Sequence, residues 1–141
     1  MFASSHSNAR SVAGLYQTVQ TDTGVAVATP HRLIEMLFEE FLASCTRARG
    51  AIREHDVQKK GRAIGRAVRI VEEGLRAGLN MKDGGELARV LQDLYSYVNV
   101  RMTQANLTNN EAAIAECVGL IQPIYDAWRA IAPAAATEGA H

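Results

Sequence analysis

Residues 29–53 read TPHRLIEMLFEEFLASCTRARGAIR, and this stretch decides the fold class. Thr29 suits the N-cap of a helix, and Pro30 suits its first position, where the missing N–H costs nothing. Apolar residues then recur at intervals of three and four, at Leu33, Leu37, Phe38, Phe41, Cys45, Ala48 and Ile52. This spacing predicts an amphipathic helix from Pro30 to about Arg53.

The chain downstream repeats the same kind of pattern. Asp56 is a good N-cap for a second helix that we expect to end near Asn80. Its apolar stripe consists of Val57, Gly61, Ile64, Val68, Val71, Leu75 and Leu79. After the turn at Asp83-Gly84-Gly85, a third helix is predicted from about Gly85 to Leu107. The stripe of that helix is Leu87, Leu91, Leu94, Val98, Met102 and Ala105.

Asn109 or Asn110 then caps a fourth helix that runs to about Ile131. Its apolar stripe consists of Ile114, Cys117, Ile121, Ile124, Trp128 and Ile131. Pro123 lies inside this helix and predicts a kink, because its ring removes one backbone hydrogen bond.

Four helices joined by short connections have antiparallel neighbours. The sequence therefore predicts an all-α fold, an antiparallel up-down-up-down four-helix bundle, over residues 29–131. Residues 1–28 are expected to form a flexible N-terminal segment with a short helix, which carries Leu15 and Tyr16. Residues 132–141 are expected to be a disordered tail.

Charge and hydropathy exclude several classes of function. The chain has 15 basic and 15 acidic residues, and this balance argues against a nucleic-acid binder. No apolar run approaches the ~20 residues that span a bilayer, and the N-terminus lacks the apolar region of a secretory signal. We therefore expect a soluble cytoplasmic protein with no nucleic-acid partner and no membrane insertion. Separately, we expect it to be a monomer.

Residue types that carry catalysis or bind metals are sparse. A Glu-x-x-His spacing occurs at Glu138 to His141, in the tail, with no second copy to complete a bundle metal site. Cys45 and Cys117 lie on core stripes, which predicts buried thiols rather than nucleophiles. We expect no metal, no cofactor and no enzymatic activity.

A phosphotransfer bundle is the enzyme-like alternative. It would need an exposed histidine in the middle of a helix, whereas His31 lies at a helix start and His55 lies in a turn.

Two surface features suggest binding. The second helix carries a basic face, formed by Lys59, Lys60, Arg62, Arg66, Arg69 and Arg76, which is either solvated or meets an acidic partner. On the third helix, Tyr97, Val100 and Leu107 lie away from the core stripe, and a bundle helix normally carries only one stripe. These side chains cover bundle edges, bury against a second copy in a homodimer, or receive the apolar face of a partner helix.

The run Leu94-Tyr-Ser-Tyr-Val-Asn-Val-Arg-Met-Thr-Gln-Ala-Asn106 resembles the third-helix signature of the flagellar secretion chaperones of the FliS family. Ser96 stands where the family commonly has Asp, and Met102 where Leu is common. The Thr29-Pro30 helix start, Gly84-Gly85-Glu86 before the third helix, and Trp128 near the end of the fourth match in the same order. The resemblance covers roughly residues 13–129.

The resemblance implies a function and a set of contact residues. Proteins of this family bind the C-terminal segment of flagellin in the cytosol, prevent its premature polymerisation and deliver it to FlhA at the export gate, without ATP. It implies that Leu15 and Tyr16 form a mobile piece that occludes the binding groove and marks the loaded complex. The positions implied on the third helix are Tyr97, Val100, Gln104 and Leu107, with Arg101 and Asn106 either contacting the partner or fixing the connection to the fourth helix.

Overall fold

The computed structural model describes residues 28–131, and within them the chain is helical with no strand. Helix α1 spans Pro30–Arg53, α2 spans Val57–Arg69, α3 spans Gly85–Thr108 and α4 spans Glu111–Ala130. A π-helical segment, Ile70–Arg76, continues directly from α2. The expectations for the N-terminal segment with Leu15 and Tyr16, and for the C-terminal tail, fall outside the described residues, apart from Ala28.

The N-caps predicted for α1 and α2 are confirmed, as is Asn110 for α4. The Thr29 hydroxyl accepts from the backbone N–H of Arg32 at 3.1 Å, and Asp56 accepts from that of Lys59 at 3.0 Å. Asn110 accepts from the backbone N–H of Ala113 at 3.1 Å. Because each cap satisfies a donor that a helix start leaves unpaired, these three side chains fix where the helices begin.

The helices pack as a bundle in which each helix contacts its neighbours in chain order, and α4 closes the arrangement against α1. The largest fully buried side chains come from α1, the π segment, α3 and α4, and include Phe38, Phe41, Ile70, Met102, Ile114 and Ile121. The predicted all-α bundle is therefore confirmed. None of the helices in the described residues is long and apolar enough to cross a membrane.

The second helix departs from its expected course. It was predicted to continue as a regular helix to about Asn80, but it widens into the π segment and ends at Arg76. Ile70, Val71, Gly74 and Leu75 are all buried there. The wider turn brings two adjacent apolar residues, Ile70 and Val71, into the core together, which the 3.6-residue period of an α-helix cannot do as well.

Three residues assigned to core stripes lie on the surface. Leu87 is 69% exposed, Val57 is 71% exposed and Ile131, just after the end of α4, is 52% exposed. On α3 the predicted Val98, Met102 and Ala105 are buried, whereas in the first half of the helix the buried residues are Ala88 and Tyr95 in place of Leu87 and Leu94.

The turn before α3 depends on two glycines. A Cβ on Gly84 would lie 2.4 Å from the Asn80 carbonyl oxygen and 2.6 Å from Ala88 Cβ. Gly85 has a φ of 58°, in the left-handed region that favours glycine. Glycine at these two positions therefore allows the chain to turn back and enter α3.

The far end of α3 is held by a buried lysine. Lys60 of α2 is only 6% exposed. Its Nζ donates to the carbonyl oxygen of Asn106 at 2.8 Å and to the side-chain oxygen of Asn109 at 2.6 Å. Asn109 ends the helix in the left-handed conformation. The Lys60 ammonium satisfies a carbonyl at the end of the helix, and its positive charge interacts favourably with the negative end of the helix dipole.

Replacing Lys60 with alanine should lower the free energy of unfolding by about 1–3 kcal/mol, because it leaves two part-buried acceptors without a donor. Lys59→Ala is the matched control, since Lys59 is more exposed and should change stability by less than about 0.5 kcal/mol. Urea denaturation of the two variants measures the difference. Equal losses would contradict the role given to Lys60.

Candidate functional site

The most distinctive surface in the described residues is the outer side of α3. Tyr97 is 44% exposed, Val100 is 55% exposed and Leu107 is 78% exposed. Leu87 and Val90, nearer the start of the helix, are also exposed. At about 100° per residue, Val90, Tyr97, Val100 and Leu107 fall on one side of α3, whereas Leu87 lies nearly opposite Leu107. We call the four side chains on that one side the α3 face. With a rise of 1.5 Å per residue, the α3 face runs for about 25 Å along the helix.

The α3 face exists because the same helix also supplies the core. Tyr95, Val98, Met102 and Ala105 are buried, so one side of α3 is fully used by the bundle. The second set of apolar side chains is left largely exposed by the bundle. Apolar surface on this scale commonly marks an interaction site.

A shallow depression of about 310 Å³ lies beside Val100 and is lined by Asn99, Val100, Thr103 and Gln104. The side-chain amide of Asn99 is held by the π segment, because its Nδ2 donates to Glu72 Oε2 at 3.2 Å. The Oδ1 atom of Asn99 is buried and has no hydrogen-bond partner in the described structure.

Polar side chains tie the edge of α3 to α4. The Tyr97 hydroxyl donates to Glu116 Oε2, and Arg101 Nε donates to Glu116 Oε1 at 2.9 Å. Arg101 also donates through Nη1 to Gln104 Oε1 at 2.9 Å. These bonds lower the pKa of Glu116, and the hydrogen bond to Glu116 raises the pKa of Tyr97.

The structure thus sorts the contact residues implied by the sequence into two groups. Tyr97, Val100, Gln104 and Leu107 share the exposed surface of α3. Arg101 is partly buried and ion-paired with α4, and the backbone carbonyl of Asn106 is held by Lys60. Both Arg101 and Asn106 therefore have internal structural roles, and their contact with a partner stays a prediction.

Sequence reasoning missed one member of the α3 face, Val90, and the residue that borders the face, Glu116. It also placed the exposed Leu87 in the core. Helical spacing gave no signal against Leu87, because the predicted stripe and the buried set both recur at intervals of three, four or seven. Val90 lies outside both sets. Nothing in the sequence pattern links Glu116 to Tyr97, 19 positions away.

The basic face predicted on the second helix is compensated within the molecule at most of its positions. Arg66 pairs with Glu40 of α1 at 2.8 Å, Arg69 with Glu73 at 3.1 Å and Arg76 with Glu72 at 2.8 Å. Lys60 is buried. Such pairing favours the interpretation of this face as a solvated surface, with little charge left to attract an acidic partner.

The histidines within residues 28–131 do not resemble a phosphotransfer site. His31 stacks on Trp128 with ring centroids 4.4 Å apart, and its Nε2 is buried without a hydrogen-bond partner. His55 lies in the turn after α1 with a φ of 57°. Neither is an exposed residue in the middle of a helix, which phosphotransfer would need.

The two thiols are buried, as the sequence predicted, and they are free. Burial, together with the second thiol nearby, raises the pKa of Cys45 to about 12. Burial also raises the pKa of Cys117 to about 11. A thiol that stays protonated and inaccessible is a poor nucleophile and a poor metal ligand. No group of three or more potential metal ligands is found in the part of the chain that the structure describes.

Comparison with known proteins gives a consistent result. The family model described as "Flagellar protein FliS" matches residues 12–135. The flagellar secretion chaperone FliS of Salmonella typhimurium is 43% identical over 120 residues, which cover 85% of this chain and 89% of the relative. The flagellar secretion chaperone FliSB of Pseudomonas aeruginosa is 37% identical over 116 residues, 82% of this chain and 91% of the relative. FliS of Bacillus subtilis is 31% identical over 112 residues, which cover 79% of this chain and 82% of the relative.

Proposed function

The chain belongs to the FliS family of flagellar proteins, and on that premise we propose that it is a cytoplasmic, non-enzymatic export chaperone that binds the C-terminal segment of flagellin. The names of its relatives support the chaperone role. The observation that carries the proposal for this chain is the α3 face, an apolar surface that the bundle itself leaves uncovered.

The shape and chemistry of the α3 face suit an amphipathic helical segment. A length of about 25 Å corresponds to about five turns of a partner helix. Apolar side chains on such a helix recur with a period of about 3.6 residues, and the intervals of seven and three between Val90, Tyr97, Val100 and Leu107 likewise keep these side chains on one side of α3.

A disordered segment that folds on this surface loses conformational entropy. That loss amounts to about 2–5 kcal/mol of the gross interaction energy, and a long apolar contact can offset it. Covering the segment in this way would keep flagellin from polymerising before export. Binding must also remain reversible, because flagellin has to leave the chaperone at the export gate.

Delivery to the gate is the second part of the proposal. We propose that Leu15 and Tyr16, outside the described residues, occlude the α3 face in the free chaperone. When flagellin displaces them, they become available to the cytoplasmic part of FlhA. Loading and delivery would then be coupled, because the binding of flagellin would expose the segment that contacts FlhA.

Placing a charge on the α3 face should abolish flagellin binding without unfolding the bundle. Val100→Asp and Leu107→Asp should each weaken binding of the flagellin C-terminal segment by tenfold or more, because a carboxylate would be buried against apolar surface. Val57→Asp makes the same chemical change at a position that is 71% exposed and lies on α2, and it should bind like the unmodified protein.

Affinities of the three variants can be measured by calorimetry, with circular dichroism to verify that each is folded. Equal affinity of Val100→Asp, Leu107→Asp and Val57→Asp would contradict the proposal. If the α3 face instead joins two copies of the chain, sedimentation would show a dimer that Leu107→Asp dissociates.

Tyr16→Ala should separate flagellin binding from delivery to FlhA. Flagellin binding should be as tight as in the unmodified protein or tighter, because occlusion is relieved, while capture of the loaded complex by the cytoplasmic part of FlhA should weaken. A pull-down with the loaded complex, and with Tyr95→Phe as the matched control, measures the second effect. Unchanged capture of the Tyr16→Ala complex would count against the role of this segment.

A further inference from the structure

Glu116 is the one side chain of α4 that bonds to two members of the α3 surface at once in the described structure. One carboxylate oxygen accepts from the Tyr97 hydroxyl, and the other accepts from Arg101 Nε at 2.9 Å. Arg101 in turn donates to Gln104 at 2.9 Å. A single carboxylate therefore orders three neighbouring side chains on α3.

This network controls what the α3 face offers to a partner. The Tyr97 hydroxyl donates to Glu116, so its hydrogen-bond donor is occupied within the protein. The guanidinium of Arg101 is neutralised by the same carboxylate. The polar ends of Tyr97 and Arg101 are thus paired within the protein, which keeps them from adding free charge or a free donor to the surface next to Val100.

Order in these side chains also affects affinity. A side chain already held in its bound orientation loses less rotamer freedom when a partner arrives. Without its bond to Glu116, the Tyr97 ring would be free to turn at the exposed edge of α3, and Arg101 would carry an unpaired charge beside the apolar surface.

We propose that Glu116 is a positioning residue of the binding surface: it holds Tyr97 and Arg101 in the arrangement that receives an uncharged apolar side chain of the flagellin segment, without touching the segment itself. The inference rests on the proposed function. It adds a residue of α4 to the binding surface, and it specifies that the partner places an uncharged apolar side chain beside Tyr97 and Arg101.

The test compares two substitutions at Glu116. Glu116→Ala removes both acceptors and should weaken binding of the flagellin C-terminal segment about five- to tenfold. Glu116→Gln should stay within about twofold, because its oxygen can accept from Arg101 and its amide can donate to the Tyr97 oxygen. Asp126→Ala is the matched control, since that exposed carboxylate of α4 pairs with Gln122 and Arg129 of its own helix.

A second measurement separates positioning from general stability. If Glu116 acts through Tyr97, then Glu116→Ala, Tyr97→Phe and the double variant should weaken binding to a similar extent, because each breaks the same link. In addition, the ring signals of Tyr97 in NMR should titrate at lower pH in Glu116→Ala, since the hydrogen bond that raises the pKa of Tyr97 is lost. Urea unfolding should be nearly unchanged, because Glu116 is on the surface.

The outcomes distinguish this inference from the function it rests on. If the unmodified protein fails to bind the flagellin segment, the proposed function is wrong and the inference is wrong with it. If the unmodified protein binds and Glu116→Ala binds equally well, or if the effects of Glu116→Ala and Tyr97→Phe add in full, the inference alone is overturned.

Discussion

A four-helix bundle can bury one face of each helix, and α3 carries apolar side chains on two. Tyr95, Val98 and Met102 are buried against the other helices, whereas Val100 and Leu107 on the opposite side remain in solvent. A bundle has no way to cover both, since a helix that turned to bury the second face would expose the first. The exposed face of α3 is therefore a consequence of the fold, and a partner is the simplest means of covering it.

The rest of the bundle is organised so that α3 stays fixed. Gly84 and Gly85 permit the reversal into the helix, and Lys60 holds its other end. Glutamates tie neighbouring helices along their edges, with Glu72 and Glu116 on the two sides of α3. Because these carboxylates pair with polar groups beside the α3 face, that face remains apolar without leaving charges unpaired.

Local signals in the sequence were sufficient for the helices and their starts. Thr29, Asp56 and Asn110 each cap a helix as predicted, because capping depends only on a few neighbouring residues. The π segment was not predictable in this way, since the widened turn depends on how Ile70 and Val71 pack against α1 and α3. Leu87 was misplaced because helical spacing allows either Leu87 or Ala88 in the core stripe, and the structure buries the smaller residue.

The candidate site was predictable only in part. Exposure of Tyr97, Val100 and Leu107 follows from helical spacing, and the structure confirms it. The link from Tyr97 to Glu116 joins two helices, so no periodic pattern within one helix could reveal it.

The central claim is that the α3 face buries the C-terminal segment of flagellin. Its most direct test is a calorimetric titration of the unmodified protein with a peptide of that segment, repeated at several temperatures. The account predicts one-to-one binding with a clearly negative change in heat capacity, which is the mark of apolar surface leaving water. Absence of binding at tens of micromolar, or binding without a heat-capacity change, would contradict it.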